Sequence, residues 1–181
     1  MAAVGRGLTL LVGGARSGKS DLAVRLGAAW PNQVTFVATA IAGDDDMADR
    51  ITRHQQERPP QWTLFEEPLF GAADVALAPP DDLVIIDCIT LLVANLMFGV
   101  HDEPAIVKHV DELAVALASR RAPSLVISNE VGLGIHPETT MGREYRDILG
   151  RANRRLADAS ETALFVAAGK VLPLQDLKIH W

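Results

Sequence analysis

With a single cysteine, Cys88, in 181 residues, this chain has neither an intrachain disulfide framework nor a cysteine-rich zinc site. A chain so poor in thiols is at ease in a reducing compartment, and a cytoplasmic location is expected. No apolar run approaches the roughly 20 residues of a membrane-spanning helix. A signal peptide is not expected either, because Met-Ala-Ala-Val-Gly-Arg-Gly leads straight into an apolar β-favouring run. Positive charge is not in excess: 17 Lys and Arg stand against 23 Asp and Glu, a formal net charge of −6. That balance speaks against a broad nucleic-acid or membrane-surface face. Repeats, low-complexity blocks and linkers are missing, with Gly and Pro spread along the chain. At 49% hydrophobic and 22% charged residues, one core and one domain over residues 1–181 are expected.

What is present is more specific. Gly13-Gly14-Ala15-Arg16-Ser17-Gly18-Lys19-Ser20 matches the phosphate-binding pattern G-x-x-x-x-G-K-[ST] in full. The β-favouring run 8–12 precedes it and a helical pattern over 21–29 follows. Glycines let successive backbone N–H groups curl around a polyphosphate, and the helix N-terminus adds partial positive charge. Lys19 then reaches the β- and γ-phosphates, and the Ser20 hydroxyl can ligate Mg²⁺.

The rest of the chain alternates strand and helix. Strands are expected at 34–39, 62–65 (short, at an edge), 83–86, 124–128 and 162–167. Helices are expected at 46–58, opened by Asp44, Asp45 and Asp46, and at 90–98, 104–120 and 138–161. This order implies an α/β fold of the phosphate-loop NTPase kind, a mostly parallel sheet with helices on both faces and ligands at the carboxyl ends of the strands. Asp87 follows the continuous apolar run Leu83-Val84-Ile85-Ile86, the mark of a strand buried on both faces. An acidic residue there holds Mg²⁺ directly or through water, or else caps the next helix. In the polar stretch 50–66, Met47, Ile51 and Arg58 share a helical face with His54 at its flank, and Pro59 and Pro60 end the helix. His101, His109, His136 and His180 are no worse placed than His54, so periodicity does not single out a catalytic histidine.

Several blocks taken together do. The glycine loop, Arg50-Ile51-x-x-His54-x-x-x-Arg58-Pro59-x-x-Trp62 with Glu66, Asp87-Cys88 with Asn95, Ser128-Asn129-Glu130-Val131-Gly132 with Gly134 and Pro137, and Arg146 with Gly150 and Asn153 occur in that order. The set resembles the bifunctional adenosylcobinamide kinase / adenosylcobinamide-phosphate guanylyltransferase family of cobalamin biosynthesis. The histidine block and the Asn-Glu-Val-Gly block are its specific parts. Gln55, His136 and residues 168–173 depart from the family pattern.

The resemblance implies two reactions. The γ-phosphoryl of ATP or GTP passes to the aminopropanol hydroxyl of adenosylcobinamide. GTP then donates GMP to adenosylcobinamide phosphate through a histidine adduct, giving adenosylcobinamide-GDP and pyrophosphate. His54 matches that histidine, with Lys19 as its catalytic companion. Nucleotide contacts fall by the same match on 13–20, on Ala38, Thr39 and Ala40, on Gln55, Gln56, Glu57 and Arg58, and on Glu66 and Asp87, with Mg²⁺ at Ser20 and Asp87. A homotrimer is implied as well. Two rivals are a monofunctional phosphate-loop kinase for another small metabolite, with His54 structural, and a nucleotide-controlled switch. The chain lacks the Asn-Lys-x-Asp pattern by which small GTPases read guanine.

Overall fold

In the computed structural model, which describes residues 6–41, 58–99 and 102–176, six strands run parallel: β1 (Leu8–Gly13), β2 (Val34–Ala38), β3 (Thr63–Glu66), β4 (Leu83–Asp87), β5 (Ser124–Asn129) and β6 (Thr162–Ala167). A seventh, β7 (Lys170–Leu174), pairs antiparallel with β6, and the order across the sheet is β3-β2-β4-β5-β1-β6-β7. Four α-helices are described: α1 (Lys19–Ala28), α2 (Ile89–Phe98), α3 (Glu103–Ala118) and α4 (Thr140–Ala159).

Successive strand residues point to opposite faces, so the apolar runs feed two cores. Leu8, Leu10, Val84, Ile86 and Val126 join Leu92, Ile106, Leu113, Leu149 and Leu156 from α2, α3 and α4. On the other face Leu11, Phe36, Leu83, Ile85 and Leu125 pack with Ala23 of α1, Trp30 and Trp62. Most of these aliphatic side chains are fully buried, each contributing about 1.5–3 kcal/mol relative to exposure.

Caps explain the helix starts. Asp102 accepts the Ala105 N–H at 3.0 Å ahead of α3, with Pro104 in the first turn, and Thr139 accepts the Gly142 N–H at 3.1 Å ahead of α4. The short strand expected at 62–65 is β3, one residue later and at the sheet edge. The helix expected over 46–58 lies, apart from its last residue, outside the described residues. β7 was not expected from the sequence. Ala168 and Gly169 both adopt positive φ, 50° and 72°, which makes a two-residue hairpin between Ala167 and Lys170. Pro173 is tolerated there because β7 is an edge strand.

Candidate active site

The carboxyl end of β1 runs into the glycine loop, and the loop's geometry follows from its residue types. A Cβ on Gly13 would lie 2.1 Å from the Val166 carbonyl oxygen, so only glycine fits beside β6. Gly18 has φ +97° and caps α1 without a side-chain hydrogen bond. The first N–H groups of α1 are thus left for an anion in the loop. The Gly169 N–H of the β6–β7 hairpin donates to the Ser17 carbonyl at 2.9 Å, which ties the unexpected hairpin to the loop.

Lys19 is almost fully buried. Its Nζ donates to the carbonyls of Gly13 at 3.0 Å and Gly14 at 2.6 Å, and to Ser17 Oγ at 3.3 Å. Burial lowers its pKa from the usual lysine value, opposed by the nearby Cys88 and Asp87. The ammonium is therefore held at the loop and poorly hydrated, an arrangement that strengthens its attraction for phosphoryl oxygens.

Asp87 ends β4, and Ser20 Oγ donates to its Oδ2 at 3.1 Å. β5 lies between β1 and β4, yet α1 carries Ser20 over to the end of β4. The residue that precedes α2 as its cap is Cys88, not Asp87. One carboxylate and one hydroxyl converging beside a phosphate loop suit Mg²⁺, which takes oxygen donors and completes its shell with phosphates and water. Both of these donors are hard oxygens, which suit Mg²⁺ better than a softer transition metal.

A cleft of about 440 Å³ opens over this corner. Its walls include residues 15–20, Ala38, Ala40, Arg58, Glu66 and Asp87, drawn from five separate places in the sequence reading. Gly13 and Gly14 form the loop's entry and hold Lys19 through their carbonyls. Thr39 is fully buried and does not line the cleft. Its Oγ1 donates to the Cys88 carbonyl at 2.7 Å and accepts the Cys88 N–H at 2.9 Å, and Asn95 Nδ2 donates to its carbonyl at 2.8 Å. Thr39 thus fastens the end of β2 to the β4–α2 junction beside Asp87. Arg58 places its guanidinium 3.8 Å above the Phe36 ring, which itself stacks on Trp62 at 6.1 Å. Stacking suits the planar, weakly hydrated guanidinium, and the residue lines the cleft.

Cys88, Thr90, Leu91, Ile127 and Asn129 also line the cleft and were not singled out as site residues from the sequence. The first three open α2 and the last two end β5. Burial, then the charge of Asp87, pushes the Cys88 thiol up to about 11, so it stands there as a neutral thiol at neutral pH.

His54, Gln55, Gln56 and Glu57 lie outside the described residues, as do His101 and His180. Of the two described histidines, His109 has Nε2 3.0 Å from the Phe70 carbonyl, a contact that fixes the loop before the Asp74–Leu77 turn. His136 lies 2.7 Å from Arg146 Nη1. Neither lines the cleft.

A family model described as "Cobinamide kinase / cobinamide phosphate guanyltransferase" matches residues 9–174. The chain is 40% identical to the bifunctional adenosylcobalamin biosynthesis protein CobU of Salmonella typhimurium, over 90% of this chain and 96% of that protein. It is 38% identical to the bifunctional adenosylcobalamin biosynthesis protein CobP of Pseudomonas aeruginosa, over 92% of this chain and 96% of that protein. In fold it is similar to a prototypical ATPase from the type III secretion system of pathogenic bacteria, with a TM-score of 0.58 at 9% identity over 88% of this chain and 50% of that one. The RadB recombinase is similar as well, with a TM-score of 0.51 at 17% identity over 88% of this chain and 73% of that one. At such identities the likeness is one of fold, and it agrees with the phosphate-loop NTPase architecture read from the sequence.

Proposed function

Because the chain belongs to the cobinamide kinase / cobinamide phosphate guanyltransferase family, we propose that it phosphorylates the aminopropanol hydroxyl of adenosylcobinamide with ATP or GTP and then transfers GMP from GTP to the new phosphate. The observation that carries the kinase half of this reading is the cleft in which residues 15–20 of the glycine loop meet Asp87, Glu66 and Arg58; the guanylyl half rests on the family match. In the first reaction the loop's N–H groups and Lys19 hold the nucleotide's phosphates, and Arg58, like Arg16 of the loop, is a further cation of the cleft for phosphoryl oxygens. Ser20 and Asp87 would hold Mg²⁺, which when bound offsets phosphate charge. Ala38, Ala40 and Glu66 form the wall along which the nucleoside lies, with Thr39 behind them.

In the second reaction His54 is the nucleophile, and residues 55–57 accompany it on the nucleotide. Neutral imidazole attacks the α-phosphorus of GTP, the bond to the bridging oxygen breaks, and pyrophosphate leaves with the electron pair. The phosphate of adenosylcobinamide phosphate then displaces the imidazole. The active unit of this reading is a homotrimer working in the cytoplasm. No helix among the described residues is long and apolar enough to cross a membrane.

The cleft alone would serve a monofunctional kinase equally well, so the test addresses His54. With GTP labelled in its α-phosphate, Mg²⁺ and the intact chain, one acid-labile, alkali-stable label on His54 is expected. His54→Ala is expected to lose that label and adenosylcobinamide-GDP formation while keeping kinase activity. Label on another residue, or normal guanylyl transfer by His54→Ala, overturns the proposal.

A further inference from the structure

The Asn-Glu-Val-Gly block that marks the sequence has no role in the chemistry above, and its first residue stands at the centre of the site. β5 lies between β1, which runs into the glycine loop, and β4, which ends in Asp87. The last residue of β5 is Asn129, in register with Gly13. Whatever projects from that position sits between the loop and the acidic residue.

Asn129 is held on several sides by its backbone. Its N–H donates to Thr90 Oγ1 at 2.8 Å, and its carbonyl accepts Asn153 Nδ2 at 2.9 Å. Those two partners are themselves fixed. Ser128 Oγ donates to Asn153 Oδ1 at 2.5 Å, and the Tyr145 hydroxyl donates to the Thr90 carbonyl at 3.0 Å. So α2 and α4 both clamp the main chain at Asn129, while the residue lines the cleft. Among the described residues no hydrogen bond engages its carboxamide. The clamped main chain fixes where the side chain starts, and among the described residues its carboxamide has no competing partner to give up, so it can turn its N–H to a charge developing at the phosphate loop.

We propose that Asn129 is a further catalytic residue of the kinase reaction, its carboxamide N–H donating to an oxygen of the phosphoryl group in transit. The inference rests on the kinase reading above. In that step a bond forms between the alcohol oxygen and the γ-phosphorus as the bond from that phosphorus to the β–γ bridging oxygen breaks. The electron pair leaves with the nucleoside diphosphate and the alcohol proton passes to water. Charge spread over the equatorial oxygens at that moment is what the amide stabilises.

Asn129→Ala keeps both main-chain hydrogen bonds and removes the donor, and Asn129→Asp keeps the shape but replaces the donor with a negative charge. With ATP, Mg²⁺ and adenosylcobinamide, kcat is expected to fall by about 100-fold in Asn129→Ala and further in Asn129→Asp, as for loss of one preorganised donor. The ATP Kd is expected to stay within about threefold, because the contact forms mainly in the transition state. A second measurement uses the wild-type chain. The Asn129 side-chain amide resonance, assigned by its loss in Asn129→Asp, is expected to shift with MgADP plus aluminium fluoride and to stay in place with MgADP alone. A kcat for Asn129→Ala within threefold of wild type, or a resonance unmoved by MgADP plus aluminium fluoride, overturns the proposal. Should Asn129→Ala not fold, the resonance decides. A wild-type chain that cannot phosphorylate adenosylcobinamide sinks the kinase reading itself, whereas the resonance still reports whether Asn129 meets a phosphoryl group.

Discussion

Replacing Lys19 with alanine separates the charge of the glycine loop from its shape. In the structure the ammonium is almost fully buried and donates to two loop carbonyls and one hydroxyl. Those bonds offset its desolvation, so removing side chain and charge together costs the fold little, about 1–2 kcal/mol at most. For a chain of this size that is a fall in Tm of roughly 2–8 °C. Turnover responds differently, because a charged donor aimed at a phosphoryl transition state contributes about 3–4 kcal/mol, or 10²–10³ in rate. Kinase turnover of Lys19→Ala is therefore expected to drop 10²–10³-fold while thermal unfolding shifts only slightly. Nucleoside diphosphate release with adenosylcobinamide as acceptor measures the first, and a melting curve the second. Turnover within tenfold of wild type would refute the charge argument. A protein already melted at the assay temperature would show instead that the ammonium is chiefly a staple for the loop.

Asp87→Asn keeps an acceptor for Ser20 Oγ but removes the negative charge, so the Mg²⁺ concentration giving half-maximal activity is expected to rise at least about tenfold; an unchanged titration means that Asp87 serves only as a hydrogen-bond acceptor. Thr39→Val removes the donor to the Cys88 carbonyl and the acceptor of its N–H, costing about 2–3 kcal/mol and roughly 4–12 °C in Tm; an unaltered Tm means that these bonds contribute nothing net. Because the Cys88 thiol is pushed up to about 11 from an ordinary 9.0, its thiolate fraction at pH 8 is about a hundredth of the usual one, and alkylation by iodoacetamide is expected to be slower in proportion. The native state holds this proton more tightly than the unfolded chain does, so the stability it confers is full below pH 9 and is lost as pH rises through about 11. Alkylation at the rate of a free thiol at pH 8 would overturn this account.

The parts of the fold that could be read from the sequence were those in which local pattern and tertiary demand coincide. Leu83-Val84-Ile85-Ile86 is continuous and apolar because helices cover both faces of β4, and each of these side chains is fully buried. The glycine loop was legible because its spacing is set by backbone geometry around phosphate, not by distant neighbours. β7 was hidden by its turn: Ala168 takes positive φ, a conformation a residue with a Cβ rarely adopts, so no Asn-Gly or Gly-Gly pair announced the hairpin. Its side chains are exposed throughout, which also removes the alternation that marks a half-buried strand.

In the site the division falls along side-chain direction. Ala38, Thr39 and Ala40 were read as one contact segment, but alternation at a strand end turns the middle residue away from its neighbours. Ala38 and Ala40 line the cleft, and Thr39 turns inward to hold Cys88. A period of two applied to the motif would have separated these roles. No comparable signal existed for Arg58, whose place over Phe36 depends on β2 reaching the ring to it across 22 positions of sequence. Asn129 lies between these cases. Its block was conspicuous by composition, yet the meaning of the position comes only from strand order, which puts β5 between β1 and β4. A motif found in sequence thus acquires a chemical role once topology shows which two phosphate-handling elements stand on either side of it.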